Sequence, residues 1–182
     1  MQWLIDKYWW GKALLAEDWV RVQVRAMPAG LQVLVRAPWY GDPLPEAEPG
    51  FVDKLWEYEV VELFVAAKAN PETYVELEFG PGGHYWAARF AGVRRQVKPL
   101  SISYQSRVLE ADLQERRAWE GEALVAWEDL PRGDFIGNAY SIHGLGKNRQ
   151  YCAAHKVPGE NADFHQPQRF VSLQVRHPGG DA

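Results

Sequence analysis

The sequence predicts an all-β chain folded as an antiparallel β-sandwich of the jelly-roll type, and three observations predict it. Apolar and polar residues alternate along most of the chain. The alternating runs follow one another at short spacing, with turn residues between them, and only residues 13–18 and 127–130 suggest helical turns. A strand points successive side chains to opposite faces, so a strand with one buried face reads as this alternation. About nine or ten strands without a long helix bury those faces best as two packed sheets.

In chain order, WVRVQVRA (19–26) sets Val20, Val22 and Val24 on one face and Arg21, Gln23 and Arg25 on the other. The turn Pro28-Ala29-Gly30 leads into LQVLVRA (31–37), which alternates again as the second arm of a hairpin. APWYGDPLPEAEPG (37–50) is dense in Pro, Gly and acid, and a loop this long inside a domain points to a role of its own. VVELFVA (60–66), TYVELEF (73–79), HYWAARF (84–90), SISYQSRV (101–108), GEALVAW (121–127), NAYSIHG (138–144) and RFVSLQV (169–175) supply further strands. The 182 residues show no internal repeat and fit one domain, 1–182, with a frayed tail at 177–182.

The stretch LWEYEVVELF (55–64) is apolar enough for a buried strand yet carries Glu57, Glu59 and Glu62. Alternation resolves this: Val61, Leu63 and Val65 face the core, and Val60, Glu62 and Phe64 face the other way. GPGG (80–83) joins the next two strands. Pairing Phe79 with His84 across it puts Val75, Leu77, His84, Trp86 and Ala88 on the core side. The opposite side then holds Tyr74, Glu76, Glu78, Tyr85, Ala87 and Arg89. Glu62 thereby lies across from Glu76 or Glu78, with Cβ atoms about 4.5–5.5 Å apart, where like charges destabilise a sheet.

Arg89, a bound divalent cation or the hydroxyls of a ligand would compensate these carboxylates. An ordinary solvated face is the plain alternative. A ligand site is favoured by Phe64, Tyr74 and Tyr85 on the same face, since carboxylates and an arginine between aromatic walls suit a polyhydroxylated molecule. Trp56, at the entry to the strand, either walls such a pocket or fills the sandwich edge. Glu57 and Glu59 read as surface charges.

Composition narrows the function classes. A net charge of −4 argues against bulk nucleic-acid binding, which needs a basic stripe. The densest basic pairs, Arg94-Arg95 and Arg116-Arg117, lie beside acids or turns. One cysteine, Cys152, leaves no internal disulfide and no Cys-based zinc site. The start of the chain lacks the pattern of a signal peptide, and no apolar run is long enough for a membrane span, so a cytoplasmic protein is expected. Nine tryptophans are many for this length; most serve packing, and one or two are expected in a site.

Other features carry less. His143 and His165 sit beside turns at strand ends and, with Asp163, offer imidazole and carboxylate groups, but no metal-binding spacing links them. Neither GPGG nor GLGKNR (144–149) precedes a helix, so neither makes the usual phosphate cradle, although Lys147 and Arg149, in a strand-end loop, could still touch an anionic ligand. Cys152 has no nucleophile turn, and no serine lies in a GxSxG context.

LWEYEVVELF, TYVELEFGPGGHYW, AYSIHG and DFHQPQRF together resemble an uncharacterised protein family found in bacteria and animals. That family is itself similar to family 9 carbohydrate-binding modules and to DOMON-like β-sandwiches. The resemblance runs from about residue 50 to 175, and its first and last motifs are the most specific. It implies a concave sugar-binding sheet face, with Trp56 stacking on sugar, Glu62 bonding hydroxyls and Arg89 assisting. Tyr151 or Phe164 would close the site from the C-terminal side. The haem-binding DOMON relatives use Met or His ligands; with only Met1 and Met27 present a Met ligand is disfavoured, and a His ligand stays open.

The leading expectation is a non-catalytic carbohydrate-binding-like domain for a small polyol. Its ligand-binding residues would be Trp56, Glu62, Tyr74, Glu76, Glu78, Tyr85, Arg89, His143, Tyr151, Phe164 and His165. No cofactor is expected beyond a possible divalent cation. The alternatives are a glycosidase-like enzyme using paired glutamates and an interaction or scaffold domain using the 37–50 loop.

Overall fold

The computed structural model describes residues 1–111 and 117–180. Among them the strands are β1 (Gln2–Ile5), β2 (Lys7–Tyr8), β3 (Val20–Met27), β4 (Gly30–Pro38), β5 (Gly50–Phe51), β6 (Val60–Ala67), β7 (Asn70–Phe79), β8 (His84–Ala91), β9 (Gln96–Pro99), β10 (Ser103–Val108), β11 (Ala118–Ala126), β12 (Asp134–His143), β13 (Gln150–Ala153) and β14 (Val171–Arg176). One sheet runs β1-β3-β4-β11-β10; the larger runs β2-β13-β12-β6-β7-β8-β5, with β14 also on β12 and β9 on β8. Pairing is antiparallel through the centre of the larger sheet, and only short β5 joins β8 in parallel. Short 3-10 turns occupy Ala16–Asp18 and Trp127–Asp129, where helical turns were expected.

The two sheets form the expected β-sandwich. Val20, Val22 and Val24 of β3, Leu31, Val33 and Val35 of β4, Val61, Leu63 and Val65 of β6, and Val75, Leu77 and Phe79 of β7 are buried between them. Burying an aliphatic side chain of this size stabilises the fold by about 1.5–3 kcal/mol. Gly30 opens β4 where β11 presses closest: a Cβ there would stand 2.1 Å from the Val125 carbonyl oxygen.

The hairpin of β7 and β8 departs from the expected register by one residue. Phe79 pairs with Tyr85, not His84, and Val75 pairs with Arg89. The cause is the loop. Gly80 N–H donates to the His84 carbonyl, so the loop proper is 81–83, and Gly83 takes φ +80°. A three-residue loop ending in a left-handed glycine is a standard hairpin closure. One residue of slip turns every β8 side chain to the other face. Trp86, Ala88 and Phe90 therefore join the acidic face, whereas Tyr85 and Ala87 join the core between the sheets, with Arg89 on that side. His84 leaves the core face with them, and its Nε2 meets the Ala47 carbonyl oxygen.

The acidic face is not open across its breadth. The segment 154–170 lies over it and buries Val157, Phe164 and Phe170 against Val60, Phe64, Tyr74, Trp86 and Phe90, a second apolar cluster outside the sandwich proper. The 37–50 loop is pinned at Glu59 and Gly144: the Tyr40 and Asp42 N–H groups donate to the Glu59 carboxylate, and Gly144 N–H donates to Asp42. Glu59 is thus a buried anchor, only 4% exposed, and not the surface charge expected. The terminal segment is anchored where fraying was expected to begin: His177 is buried, its N–H donates to the Gly133 carbonyl, and its Nε2 meets the Trp127 carbonyl. Of the Arg116-Arg117 pair, Arg116 lies outside the described residues, and Arg117 sits over the Trp39 ring at 5.1 Å.

Candidate functional site

Register places the side chains of the acidic face in rows. Tyr140, Glu62, Glu78 and Trp86 follow one another across β12, β6, β7 and β8. The next row is Asn138, Phe64, Glu76 and Ala88, and the third is Ile136, Ala66, Tyr74 and Phe90. Alternation alone brings the carboxylates together. Glu62, Glu76 and Glu78 each present an oxygen within 4.8 Å of the others. Their exposures are 3%, 6% and 0%. Two like charges at this spacing repel by roughly 3–4 kcal/mol at an effective dielectric of 20, so the face requires protons or a cation. Burial drives Glu62 up to about 8, opposed by Arg149 and then Arg94. Burial likewise raises Glu76 and Glu78 well above the ordinary carboxylate range, and their acidic neighbours raise them further.

A cleft of about 330 Å³ remains over this cluster, between the sheet and the 154–170 segment. Glu62 and Glu76 line its floor, and Trp56, Trp86, Phe90, Tyr151, Phe164, Arg94 and His165 are among its walls. Glu78 lies beneath the floor. Neither of its oxygens makes a hydrogen bond of good geometry among the described residues, although the Trp56 N–H and the Glu76 carboxyl lie close enough to interact with it.

Trp56 rides on the 3-10 turn Leu55–Glu57, whose Leu55 is fully buried. The turn is preceded by Lys54 at φ +58°, a backbone conformation that side chains seldom adopt. Arg149 clamps the turn by donating to the Trp56, Glu57 and Tyr58 carbonyls and, behind them, to Gly144. The Trp56 ring stands edge-on to Trp86 at 5.6 Å and is 38% exposed, as a stacking platform must be.

Arg94, also at positive φ (+57°), bridges floor and cover. Its N–H donates to the Tyr74 hydroxyl at 3.1 Å and its Nη2 to Asp163 at 2.9 Å. Tyr74 OH is buried and lies 2.7 Å from His165 Nδ1, the one acceptor it reaches among the described residues. The hydroxyl therefore donates to Nδ1, and the His165 proton sits on Nε2, 3.6 Å from Glu76 Oε2. Burial, then Arg94, lowers the imidazole to about 4, so it is neutral at pH 7 and this contact is polar, not ionic.

Of the residues expected in a site, Trp56, Glu62, Glu76, Tyr151, Phe164 and His165 line the cleft, and Tyr74 and Glu78 lie beneath it. Tyr85 and Arg89 are turned away by the register. Tyr85 is buried between the sheets, and Arg89 donates to the Leu130 carbonyl at 3.3 Å. His143 stands apart, stacked on Tyr40 at 3.6 Å near Glu59. Arg94, Arg149 and Trp86 were not among the expected site residues. The Arg94-Arg95 pair and the basic loop at 147–149 were visible in the sequence, but not their reach to this face.

No protein-family model matches the chain. Among known structures the fold resembles a crystal structure from Bacteroides uniformis described as a "putative carbohydrate-binding protein", with a TM-score of 0.70 and 16% identity, over 93% of this chain and 84% of that one. Among curated proteins, the rat UPF0462 protein C4orf33 homolog is 33% identical over 172 residues, which is 90% of this chain and 83% of the rat protein. Human UPF0462 protein C4orf33 is 31% identical over 181 residues, 95% of this chain and 87% of the human one. At these identities and over these lengths, the chain belongs to the UPF0462 family.

Proposed function

We propose that the chain binds a small polyhydroxylated ligand, of mono- or disaccharide size, in the cleft over Glu62 and Glu76, without turning it over. The observation that carries this reading is the pairing of two buried carboxylates on the floor with the half-exposed Trp56 ring on the wall. Carboxylates accept from adjacent hydroxyls, and an indole packs against the C–H face of a sugar ring. A cleft of about 330 Å³ is near the lower end for small-molecule sites, which favours a free sugar or similar polyol over a polymer. The architecture shared with a protein described as carbohydrate-binding is compatible with this.

The likeness to family 9 carbohydrate-binding modules belongs to the same proposal. It assigns stacking to Trp56 and hydroxyl binding to Glu62, and Arg94 takes the part expected of Arg89. Cytoplasmic residence is also part of it. A glycosidase would place its two carboxyl groups on either side of the scissile bond. Glu62 and Glu76 share one floor on adjacent strands, an arrangement that suits binding.

The test is a tryptophan fluorescence titration with a panel of monosaccharides, disaccharides and cyclic polyols. Saturable quenching that Trp56→Ala abolishes supports the reading. A flat response to every compound, or quenching unchanged in Trp56→Ala, contradicts it.

A further inference from the structure

The arginines around the cleft floor act on Glu62 and Glu76 only from a distance. Arg94 gives its guanidinium to Asp163, and Arg149 gives its own to backbone carbonyls. Among the described residues neither makes a hydrogen bond to Glu62, Glu76 or Glu78. Glu78 is the more telling group, because it is fully buried and both its oxygens lack a well-formed hydrogen bond. An unpartnered buried carboxylate is costly, and native proteins seldom leave one without a reason.

We propose that Glu62, Glu76 and Glu78 form a divalent-cation site of the Ca²⁺ class at the floor of the aromatic cleft. Burial favours a bare ion over an organic cation: Glu62 and Glu76 line the cleft, whereas fully buried Glu78 does not. Three oxygens within 4.8 Å of one another can share one ion whose metal–oxygen distances are about 2.3–2.6 Å, as for Ca²⁺. All three donors are hard carboxylate oxygens, which favour Ca²⁺ or Mn²⁺ over Zn²⁺. His165 does not compete as a ligand, since Tyr74 takes its Nδ1 and its Nε2–H points toward Glu76. Its Nε2–H is instead a polar neighbour of that carboxylate, at 3.6 Å.

With three protein oxygens below it, the ion has its remaining positions toward the cleft. There two adjacent hydroxyls of a polyol can replace water. This last step rests on the polyol reading; the cation site itself does not.

The experiment uses the full chain freed of metal by chelator and dialysis. Ca²⁺, Mn²⁺ and Mg²⁺ are added separately while the melting temperature is followed, and Tb³⁺ is titrated while its tryptophan-sensitised luminescence is read. Ca²⁺ at a hundred-fold excess over its Kd is expected to raise the melting temperature by about 5–10 °C. Tb³⁺ luminescence is expected to saturate and to be displaced by Ca²⁺. Glu78→Gln should fold, with a cation-free melting temperature at or above that of the native chain, and should bind at least about ten-fold more weakly. If Glu78→Gln does not fold, Glu62→Gln takes its place. No response to any of the ions, or the same response in the glutamine variant, overturns the site.

Polyol titrations with and without EDTA separate the two ideas. Polyol binding that is indifferent to EDTA refutes the bridging ion and leaves the polyol reading standing. Cation binding with no polyol response supports the ion site and counts against the polyol reading.

Discussion

Glu62 and Glu78 stand directly opposite each other on β6 and β7, both buried, with Tyr140 and Trp86 completing the row. A sheet does not gather like charges for stability, since opposed carboxylates weaken the pair. The pairing therefore points to something outside the sheet, and it sets the terms on which the neighbouring residues can be tested.

The arginine that serves the cleft is Arg94, not Arg89. Arg89→Met should leave polyol-dependent fluorescence quenching unchanged, because its side chain lies on the inter-sheet side and donates to Leu130. Arg94→Met should weaken quenching by about ten-fold or more, the usual scale for losing a charge-assisted contact. The reverse ranking would mean that the hairpin register is wrong.

Arg149 holds the Trp56 turn through a fork of donors that a lysine cannot reproduce. Arg149→Lys should lower stability by about 1.5–3 kcal/mol in urea unfolding, close to the effect of Arg149→Ala. A lysine variant of native stability would show that the fork is dispensable.

Tyr74 links floor and cover by accepting from Arg94 N–H and donating to His165 Nδ1. Tyr74→Phe should cost about 1–3 kcal/mol by stranding both partners. In the native chain, nitrogen NMR of His165 should show the Nε2–H tautomer between pH 6 and 8. An Nδ1–H signal would reverse the direction of that bond.

Glu59 provides a pH dependence separate from the acidic cluster. Burial raises it from 4.5 to about 7, against the pull of the Tyr40 and Asp42 N–H groups. A carboxyl that holds its proton more tightly when folded adds stability fully below its unfolded pKa and loses it as pH rises through the folded value. The native chain should therefore lose stability relative to Glu59→Gln between about pH 4.5 and 7, with little further change above about 7.5. Parallel melting-temperature profiles for the two proteins would show that Glu59 does not titrate in this window.

The sequence carried the sandwich and half of the site. Val61, Leu63 and Val65 alternate with Glu62 so cleanly that the facing of β6, and the meeting of Glu62 with an acid on β7, follow from pattern alone. β8 did not allow the same inference. Both of its faces carry aromatics, Tyr85 on one and Trp86 with Phe90 on the other, so hydrophobicity could not choose between registers. The choice fell to the left-handed backbone of Gly83, a property of the folded loop. Arg94 and Arg149 reach the cluster from loops, and the 154–170 cover has no periodicity to betray the face on which it lies. Their contributions follow from tertiary packing.

On the proposed reading, a small polyol sits against Trp56 over Glu62. Saturation-transfer difference NMR on a mixture of mono- and disaccharides tests it most directly. Transfer is expected to the ring C–H protons of at least one sugar, strongest on the face that meets the indole and lost in both Trp56→Ala and Glu62→Gln. Transfer to none of the sugars, or transfer that survives both substitutions, would contradict it.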